Sequence, residues 1–315
     1  MKKITTVGGG TGTYVVLSGL KKKPVELSAI VSVADDGGST GRLRDAYGYL
    51  PQGDLRQALV ALSEDESILR QLFTHRFSKG ELAGHNFGNM FLVALTEILG
   101  TDTHALEEAA KLLRVKGHVI PVSDTPAVLC ADLNGVCVEG QSAIQNNPDR
   151  GAISRLYLKH TCRASDDACA AIQGAHMVVL GPGDLYTSTL ANFVTEGLSH
   201  ARAESPATFV YVTNLFSTPE SGRMTAQDYV RTVTDYVGRR PDKIVVNTRA
   251  PSPETVSEYA GRGQHLIIDD LGDDSRVVRA DILSDMLVAQ HERDTVIRSL
   301  VRHDPDRLAD LLVTL

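Results

Sequence analysis

The sequence predicts an α/β fold with a doubly wound, mostly parallel, Rossmann-like sheet and an antiparallel hairpin elaboration in the middle of the chain. Short apolar runs rich in β-branched residues alternate with helical patterns, and two of these runs end in glycine-rich loops. The predicted parallel strands are Ile4–Val7, Leu27–Val33, Met177–Leu180, Thr208–Thr213, Ile244–Asn247 and Leu266–Asp269.

Helical periodicity connects these strands. The predicted helices span about Thr13–Lys21, Leu55–Ser63, Ile68–Phe73, Met90–Leu99, Leu106–Val115 and Thr295–Leu312, the last of them interrupted near His303–Pro305. The antiparallel part comprises a hairpin over Val128–Glu139, with a type I′ turn at Asn134-Gly135, and a strand over Ile153–His160. We expect a single domain over residues 1–315, with the elaboration at about 116–165.

Composition limits the class of protein. The chain has 315 residues, is 42% hydrophobic and 23% charged, and carries a formal net charge of −7. A binder of nucleic acid or of an anionic membrane surface needs a basic face, so we expect neither partner. No run of eighteen apolar residues occurs, and Lys2-Lys3 lead into a strand rather than a signal-peptide core. The sequence therefore predicts a cytoplasmic protein without membrane insertion.

The four cysteines show no C-x-x-C spacing. In the predicted hairpin register Cys130 faces Glu139 and Cys137 faces Asp132, so the two thiols are diagonal neighbours. We expect reduced, packed cysteines rather than a disulfide or a zinc site. The histidines form no H-x-x-x-H or H-E-x-x-H pattern, so the sequence predicts no firm metal site.

The first glycine loop is a predicted phosphate site. The strand Ile4–Val7 runs into Gly8–Gly12, and a helix follows, which brings backbone N–H groups and a positive helix end against an anion. Its candidate ligand residues are Gly9, Gly10, Thr11, Gly12 and Thr13. In the dinucleotide pattern G-x-G-x-x-G the third glycine is replaced by Thr13, which disfavours a nicotinamide cofactor. The alternative is a tight turn without a ligand.

The second candidate is the stretch Ala34–Arg44, which follows the second strand. Its acids, Asp35 and Asp36, suit a ligand hydroxyl or Mg²⁺, and Ser39, Thr40 and Arg44 suit a phosphate. A polar surface loop is the alternative. In the next motif, Asp54 is interpreted as the N-cap of a helix that begins at Leu55.

Two further motifs complete the predicted site. His85, Asn86 and Asn89 lie at a helix N-terminus, where Asn86 is expected to cap and His85 is a candidate general acid or base. After a central strand come Gly181, Gly183, Asp184, Tyr186, Thr187 and Ser188, and after the next strand Asn214, whose amide suits a base or sugar edge. All of these loops follow strands, where open α/β sheets bind their ligands.

Taken in order, these stretches resemble the CofD-like superfamily and, within it, the gluconeogenesis-factor (YvcK-like) branch. The stretches that match are Gly8–Gly12, Ala34–Arg44, Pro51–Gln57, His85–Leu95, Gly181–Asn192, Tyr211–Asn214 and Arg302–Pro305. The chain departs from the family pattern at Asn86 and Asp184, where serine or a serine-like residue is expected, and over Phe216–Arg223. The resemblance implies a Rossmann-like fold, often dimeric, that binds a UDP-sugar such as UDP-N-acetylglucosamine.

Three hypotheses follow. The first is a regulator that links carbon metabolism during gluconeogenic growth to cell-wall synthesis and cell shape; it needs no cofactor and has a protein effector partner still to be identified. In it the first glycine loop holds the diphosphate, Asn214 and Asp184 lie nearer the base or sugar, and Arg302 is a candidate phosphate or dimer contact.

The second hypothesis is a 2-phospho-L-lactate transferase, which moves a phospholactyl group from a nucleotide-linked donor to a deazaflavin. There Mg²⁺ binds Asp35 or Asp36 and His85 assists proton transfer. The third and weakest is an NAD-dependent dehydrogenase.

Overall fold

Ten strands form two sheets in this computed structural model, which describes residues 1–64, 68–147, 153–286 and 299–315. The strands are β1 (Lys2–Val7), β2 (Val25–Val31), β3 (His118–Pro121), β4 (Leu129–Leu133), β5 (Val136–Glu139), β6 (Ile153–Leu158), β7 (Met177–Leu180), β8 (Thr208–Val212), β9 (Lys243–Asn247) and β10 (Val277–Ala280). Seven strands pair in parallel in the order β10-β9-β8-β7-β1-β2-β3. The predicted doubly wound sheet is confirmed.

Helices flank the parallel sheet. Those of the described residues are α1 (Gly10–Leu20), α2 (Gly38–Tyr47), α3 (Gln52–Leu62), α4 (Ile68–Thr74), α5 (Phe87–Leu99), α6 (Asp102–Leu112), α7 (Gln141–Gln145), α8 (Asp166–Gln173), α9 (Leu198–Glu204), α10 (Ala226–Val237), α11 (Pro253–Gly261) and α12 (Pro305–Thr314). Because helices cover both of its faces, the sheet has a continuous apolar interior; every residue of β7 is buried. None of the helices in the described ranges is long and apolar enough to cross a bilayer.

Strand order places a topological switch point between β1 and β7. From β1 the chain moves to β2 on one side, and the later strands β7 to β10 build outward on the other side. The connections after β1 and β7 therefore leave in opposite directions and open a crevice at the carboxyl edge of the sheet. Both predicted glycine loops follow these two strands.

The predicted hairpin is confirmed in its register and turn. Strands β4 and β5 pair with Cys130 opposite Glu139 and Asp132 opposite Cys137. Asn134 and Gly135 have φ of 50° and 81°, as a type I′ turn requires. Strand β6 adds to β4 on its other side. The predicted limits of the elaboration, about 116–165, are too wide, because β3 within them belongs to the parallel sheet.

Two other predictions fail at the edges of the parallel sheet. Leu266–Asp269 is not a strand: Leu266 makes only an isolated bridge to Phe216, and the edge strand is β10. Leu266 and Ile268 are 40% and 65% exposed, so this apolar pattern does not report burial. The glycine-rich stretch after β2, interpreted as a loop, continues into α2.

At the C-terminus the predicted interruption is confirmed. Helix α12 begins at Pro305, and the Asp304 carboxylate caps it by accepting hydrogen bonds from the N–H groups of Asp306 and Arg307. Residues 299–304 are not helical, and positions 295–298 of the predicted helix lie outside the described residues. Helix α12 packs on α1, where a Cβ at Gly19 would lie 1.9 Å from the Pro305 carbonyl oxygen.

Candidate functional site

The two glycine loops touch each other in the crevice. A Cβ on Gly12 would lie 1.2 Å from the carbonyl oxygen of Pro182, so the contact exists only because Gly12 has no side chain. Gly10 has a φ of 65°, in the left-handed region that favours glycine. Helix α1 begins at Gly10, not near Thr13 as predicted, so Thr11 and Gly12 belong to its first turn. The loops thus form one wall rather than two separate turns.

The amino end of α1 points a partial positive charge into this crevice. Its N-cap residue, Gly9, has no side chain to satisfy the exposed N–H groups. One of them, that of Gly10, donates to the carboxylate of Asp54. A Cβ on Gly9 would come within 2.2 Å of Asp54 Oδ2, so glycine is what admits this carboxylate.

Three carboxylates, Asp35, Asp54 and Asp184, form what we call the acidic floor of the crevice. Asp54 is 7% exposed, and the other two are half-buried. Burial raises the pKa of Asp54 to about 7, with the charge of Asp35 as the next cause, and burial raises the pKa of Asp184 to about 6. Burial also raises the pKa of Asp35, while hydrogen bonds from Gly37 and Thr40 oppose the rise. The floor therefore gathers negative charge that neither solvent nor a basic partner fully compensates.

Asp54 is the functional candidate that sequence reasoning assigned to capping. The prediction that it caps a helix is wrong, because α3 begins at Gln52 with Pro51 as N-cap. Asp54 lies in the first turn, where its carboxylate reaches Gly10. The glycine before it leaves room for a second carboxylate, because a Cβ on Gly53 would lie 2.3 Å from Asp35 Oδ2. The Gly53-Asp54 pair thus brings two carboxylates close together.

The two acids after β2 separate into different environments. Asp35 belongs to the floor, whereas Asp36 accepts a hydrogen bond from the Ser142 N–H at 2.8 Å and lies against Gly140. Asp36 thereby ties α2 to the helix that follows the hairpin. Of the two predicted Mg²⁺ ligands, only Asp35 lies beside other acidic oxygens.

The loop after β7 is held by an inner network. Asn214 brackets the peptide of Gly183, accepting from its N–H and donating to its carbonyl oxygen at 2.6 Å. Asp184 precedes a π-type turn over Leu185–Thr189, but its side chain does not cap it; the carboxylate accepts from Gln145 Nε2 at 2.7 Å. The Asn214 amide, predicted to read a ligand edge, is thus engaged with the loop itself.

The predicted hydroxyl donors of that turn are buried. Thr187 donates to Glu220 at 2.7 Å, and the N–H of Tyr186 donates to the other oxygen of Glu220 at 2.8 Å. Burial and then the charge of Asp184 raise the pKa of Glu220 to about 8. Ser188 Oγ lies 3.8 Å from the position of a Cβ on Gly10, which brings this turn to the first glycine loop. Sequence reasoning missed Glu220 and Gln145, which lie in stretches without a motif.

A polar layer joins α2 to the start of α5. Asn86 caps α5 as expected, accepting from the Asn89 N–H, and Asn89 Nδ2 donates to Thr40 Oγ1. The Asn86 N–H donates to Ser39 Oγ at 3.2 Å, and that oxygen lies 3.3 Å from His85 Nδ1.

Gly37–Gly41 matches the G-x-S-x-G pattern of hydrolase nucleophiles. In this chain, however, Gly38 rather than the serine has the positive φ, and Ser39 is 3% exposed. Ser39 therefore connects α2 to the start of α5 and is not an exposed nucleophile.

Two arginines, Arg42 and Arg76, and the imidazole of His85 form what we call the basic rim. Arg76 Nη1 donates to the Gly84 carbonyl oxygen at 2.7 Å, and Arg42 Nη2 lies 3.0 Å from the position of a Cβ on Gly84. Burial lowers the pKa of His85, and both arginines lower it further. The positive charges of the two arginines favour an anion.

Of two further predicted phosphate contacts, Arg44 acts electrostatically on Asp35 of the floor, whereas Arg302 lies elsewhere. Arg44 is paired with Asp45, its Nη2 lying 2.8 Å from the carboxylate. The carbonyl of Arg302 accepts from the Ser284 N–H, and its neighbour His303 bridges to Leu283, so Arg302 groups with the segment after β10 rather than with the glycine loops.

Comparison with known proteins identifies the family. The model of the family described as 2-phospho-L-lactate transferase CofD matches residues 4–288. The chain belongs to the CofD family. The gluconeogenesis factor of Bacillus subtilis is 37% identical over 318 residues, covering 99% of this chain and 98% of the relative. That of Listeria monocytogenes is 34% identical, covering 99% and 95%.

A solved structure agrees with the fold. A UPF0052 family protein from Bacillus halodurans matches with a TM-score of 0.91 at 34% identity, covering 99% of this chain and 98% of that one. The chain thus matches the Bacillus subtilis and Listeria monocytogenes proteins over nearly their whole length, and the predicted family is confirmed.

Proposed function

We propose that this protein is a regulator that binds a nucleotide-diphosphate sugar such as UDP-N-acetylglucosamine and links gluconeogenic growth to cell-wall synthesis and cell shape. The observation that carries the proposal is the amino end of α1 opening, beside two interlocked glycine loops, onto the acidic floor. The relatives of this chain that are named gluconeogenesis factors support the regulatory part of the proposal.

The charges of the crevice favour a diphosphate that arrives with a divalent cation. Free phosphate oxygens would be repelled by Asp35, Asp54 and Asp184, but a cation between them removes that repulsion. Burial raises the pKa values of Asp54 and Asp184, and the charge of Asp35 adds to the rise at Asp54. Asp35 and Asp54 are the residues that would hold Mg²⁺, which would neutralise part of the diphosphate charge. Helix α1 and the basic rim would bind the remaining phosphate oxygens.

A phospholactyl transferase is the second candidate. The family description names this activity. Asp54, whose pKa is about 7 and which lies beside Asp35, could accept a proton from an acceptor hydroxyl. In this reading the cation supplies charge neutralisation at the transferred phosphoryl group. His85, whose lowered pKa keeps it neutral near pH 7, would be the alternative proton acceptor.

Calorimetry separates the candidates. The protein is titrated with UDP-N-acetylglucosamine, GDP and NAD, each with and without Mg²⁺. We expect the UDP-sugar to bind in a 1:1 ratio to the protomer and more tightly with Mg²⁺, and NAD not to bind. The same samples are incubated with a phospholactyl-nucleotide donor and a deazaflavin and analysed by mass spectrometry. Turnover would establish the transferase, and absence of UDP-sugar binding would refute the regulator. Light scattering on the same samples tests the expected homodimer.

A further inference from the structure

The antiparallel sheet brings two thiols and a carboxylate together on one face. Cys130 in β4 lies opposite Glu139 in β5, and Asp132 lies opposite Cys137, so side chains two residues apart share a face. The two sulfur atoms and a carboxylate oxygen of Glu139 all lie within 4.8 Å of one another. Cys130 is buried, whereas Cys137 and Glu139 are exposed, so the group is anchored on one side and open on the other.

The surroundings orient these groups. The Tyr157 hydroxyl lies 3.1 Å from Cys137 Sγ and 3.1 Å from Asp132 Oδ1, which fixes the position of the exposed thiol. Lys159 pairs with Glu139 at 2.7 Å and supplies a single positive charge at the margin. Burial, then Cys137 and Glu139, raise the pKa of the Cys130 thiol. A cation at this place would stabilise the thiolates that these neighbours disfavour.

The geometry suits a metal ion better than a disulfide. The two cysteines are diagonal across the strand pair, whereas a disulfide needs an S–S distance of about 2.05 Å and Cβ atoms about 3.5–4.5 Å apart. Two thiolates on one tetrahedral zinc ion are about 3.8 Å apart, since each Zn–S bond is about 2.3 Å. The two sulfur atoms lie within 4.8 Å of one another, close to that value.

We propose that Cys130, Cys137 and Glu139 form a site for a thiophilic divalent cation of the zinc class, with a fourth position open to water. Binding forms two metal–sulfur bonds and one metal–oxygen bond and releases one proton from each thiol to solvent. The sequence disfavoured a zinc site because the cysteine spacing matches no zinc motif; the register of the type I′ hairpin is what brings the ligands together.

The position of the site gives it a structural consequence for the crevice. Glu139 is followed by Gly140, which lies against Asp36, and by α7, whose Gln145 holds Asp184. A metal ion on Glu139 would fix the end of β5 from which α7 starts. The inference itself does not rest on the proposed nucleotide ligand.

Metal titration of the full-length protein tests the site. The reduced, chelator-treated protein is titrated with Zn²⁺ against a chromophoric chelator, and with Co²⁺ while thiolate-to-cobalt charge-transfer absorption is recorded. We expect one equivalent of Zn²⁺, and a charge-transfer band that Cys137→Ser removes. Loss of an outer partner of a zinc ligand costs about 10–100-fold in affinity, so Tyr157→Phe should weaken binding by that factor and Cys137→Ser or Glu139→Gln by more.

The matched control is Cys169→Ser, a half-buried cysteine on α8 outside the group. It should bind Zn²⁺ as the unchanged protein does. Unchanged affinity in Cys137→Ser, or equal losses in Cys137→Ser and Cys169→Ser, would overturn the proposal. So would a disulfide that forms in air while the reduced protein binds no metal. Circular dichroism of each variant establishes that the fold is retained, and UDP-sugar titration of the same samples reports separately on the proposed function.

Discussion

The acidic floor and the basic rim are neighbours, but the floor carries buried negative charge and the rim carries exposed positive charge. Thr40 in α2 donates to Asp35 of the floor, and the preceding Ser39 contacts His85 of the rim. Asp54 of the floor is 7% exposed and is fixed against the main chain, whereas Arg42 of the rim is exposed. Buried charge responds strongly to protons and bound cations, while exposed charge is screened by salt. Under the proposed function we therefore expect the floor to set the dependence of binding on a cation, and the rim to adjust the attraction of an anion.

The largest expected effect comes from the wall that supports the floor. Gly12→Ala places a Cβ against the carbonyl of Pro182, and neither main chain can move aside cheaply. We expect the free energy of unfolding to fall by more than about 4 kcal/mol, as for the severest core substitutions, or the protein not to fold. Urea denaturation measures it.

Gly261→Ala is the matched control for this glycine. Gly261 ends α11 and has open space where a Cβ would lie. Alanine there should leave stability unchanged or raise it by up to about 1 kcal/mol. Similar stabilities for the two variants would show that the glycine loops are not in contact.

The second effect isolates the floor. Asp54→Asn keeps the shape of the side chain but removes a charge that we expect Mg²⁺ to need. The affinity for UDP-N-acetylglucosamine in Mg²⁺ should fall by about 100-fold, equivalent to about 2.7 kcal/mol. Without Mg²⁺ the variant should bind as well as the unchanged protein or better, because repulsion is reduced.

Calorimetry with Asp310→Asn as control checks this prediction. Asp310 is an exposed partner of Lys23 on α12, so its loss should change neither titration. An equal loss of affinity by Asp54→Asn with and without Mg²⁺ would contradict a role of the floor in holding a cation.

The third effect is a dependence of stability on pH. Asp54 has a pKa of about 7 in the folded protein against an ordinary value of 3.8, so the folded state holds more protons between these two pH values. Stability without ligand should therefore fall as pH rises from about 4 to about 7, by about 3 kcal/mol from this residue. Urea denaturation across that range should show a flatter profile for Asp54→Asn and for the protein saturated with Mg²⁺. A profile that rises with pH would contradict the assignment.

Local chemistry explains which parts of the fold the sequence could predict. The hairpin turn at Asn134-Gly135 and the glycine loop at Gly8–Gly12 depend on backbone conformations that few residues adopt, so they are visible in the chain. The edge strand was misplaced because the short apolar runs at Leu266–Asp269 and Val277–Ala280 look alike. Only pairing with β9, a long-range contact, distinguishes them.

The acidic floor shows the same limit: contacts between residues far apart in the chain cannot be predicted from local sequence. Asp35 was recognised because it directly follows a predicted strand. Asp54 was interpreted as a cap because its motif lies before a helix, and nothing local reveals that the first turn of α3 lies against Gly10 of α1. The partners of the basic rim, Arg42 and Arg76, meet at Gly84 only through folding.

The smallest expected effect tests the rim. Arg42→Gln removes one of two charges that lower the pKa of His85, so that pKa should rise, and NMR titration of the histidine measures it. Affinity for the diphosphate ligand should fall by no more than about tenfold, with a weaker dependence on salt, because the charge is solvated. Arg231→Gln, at an exposed arginine on α10, is the control for charge alone. If Arg42→Gln lowered affinity as much as Asp54→Asn and did so equally at high salt, the rim would act by direct contact rather than by its field, and the distinction between floor and rim would fail.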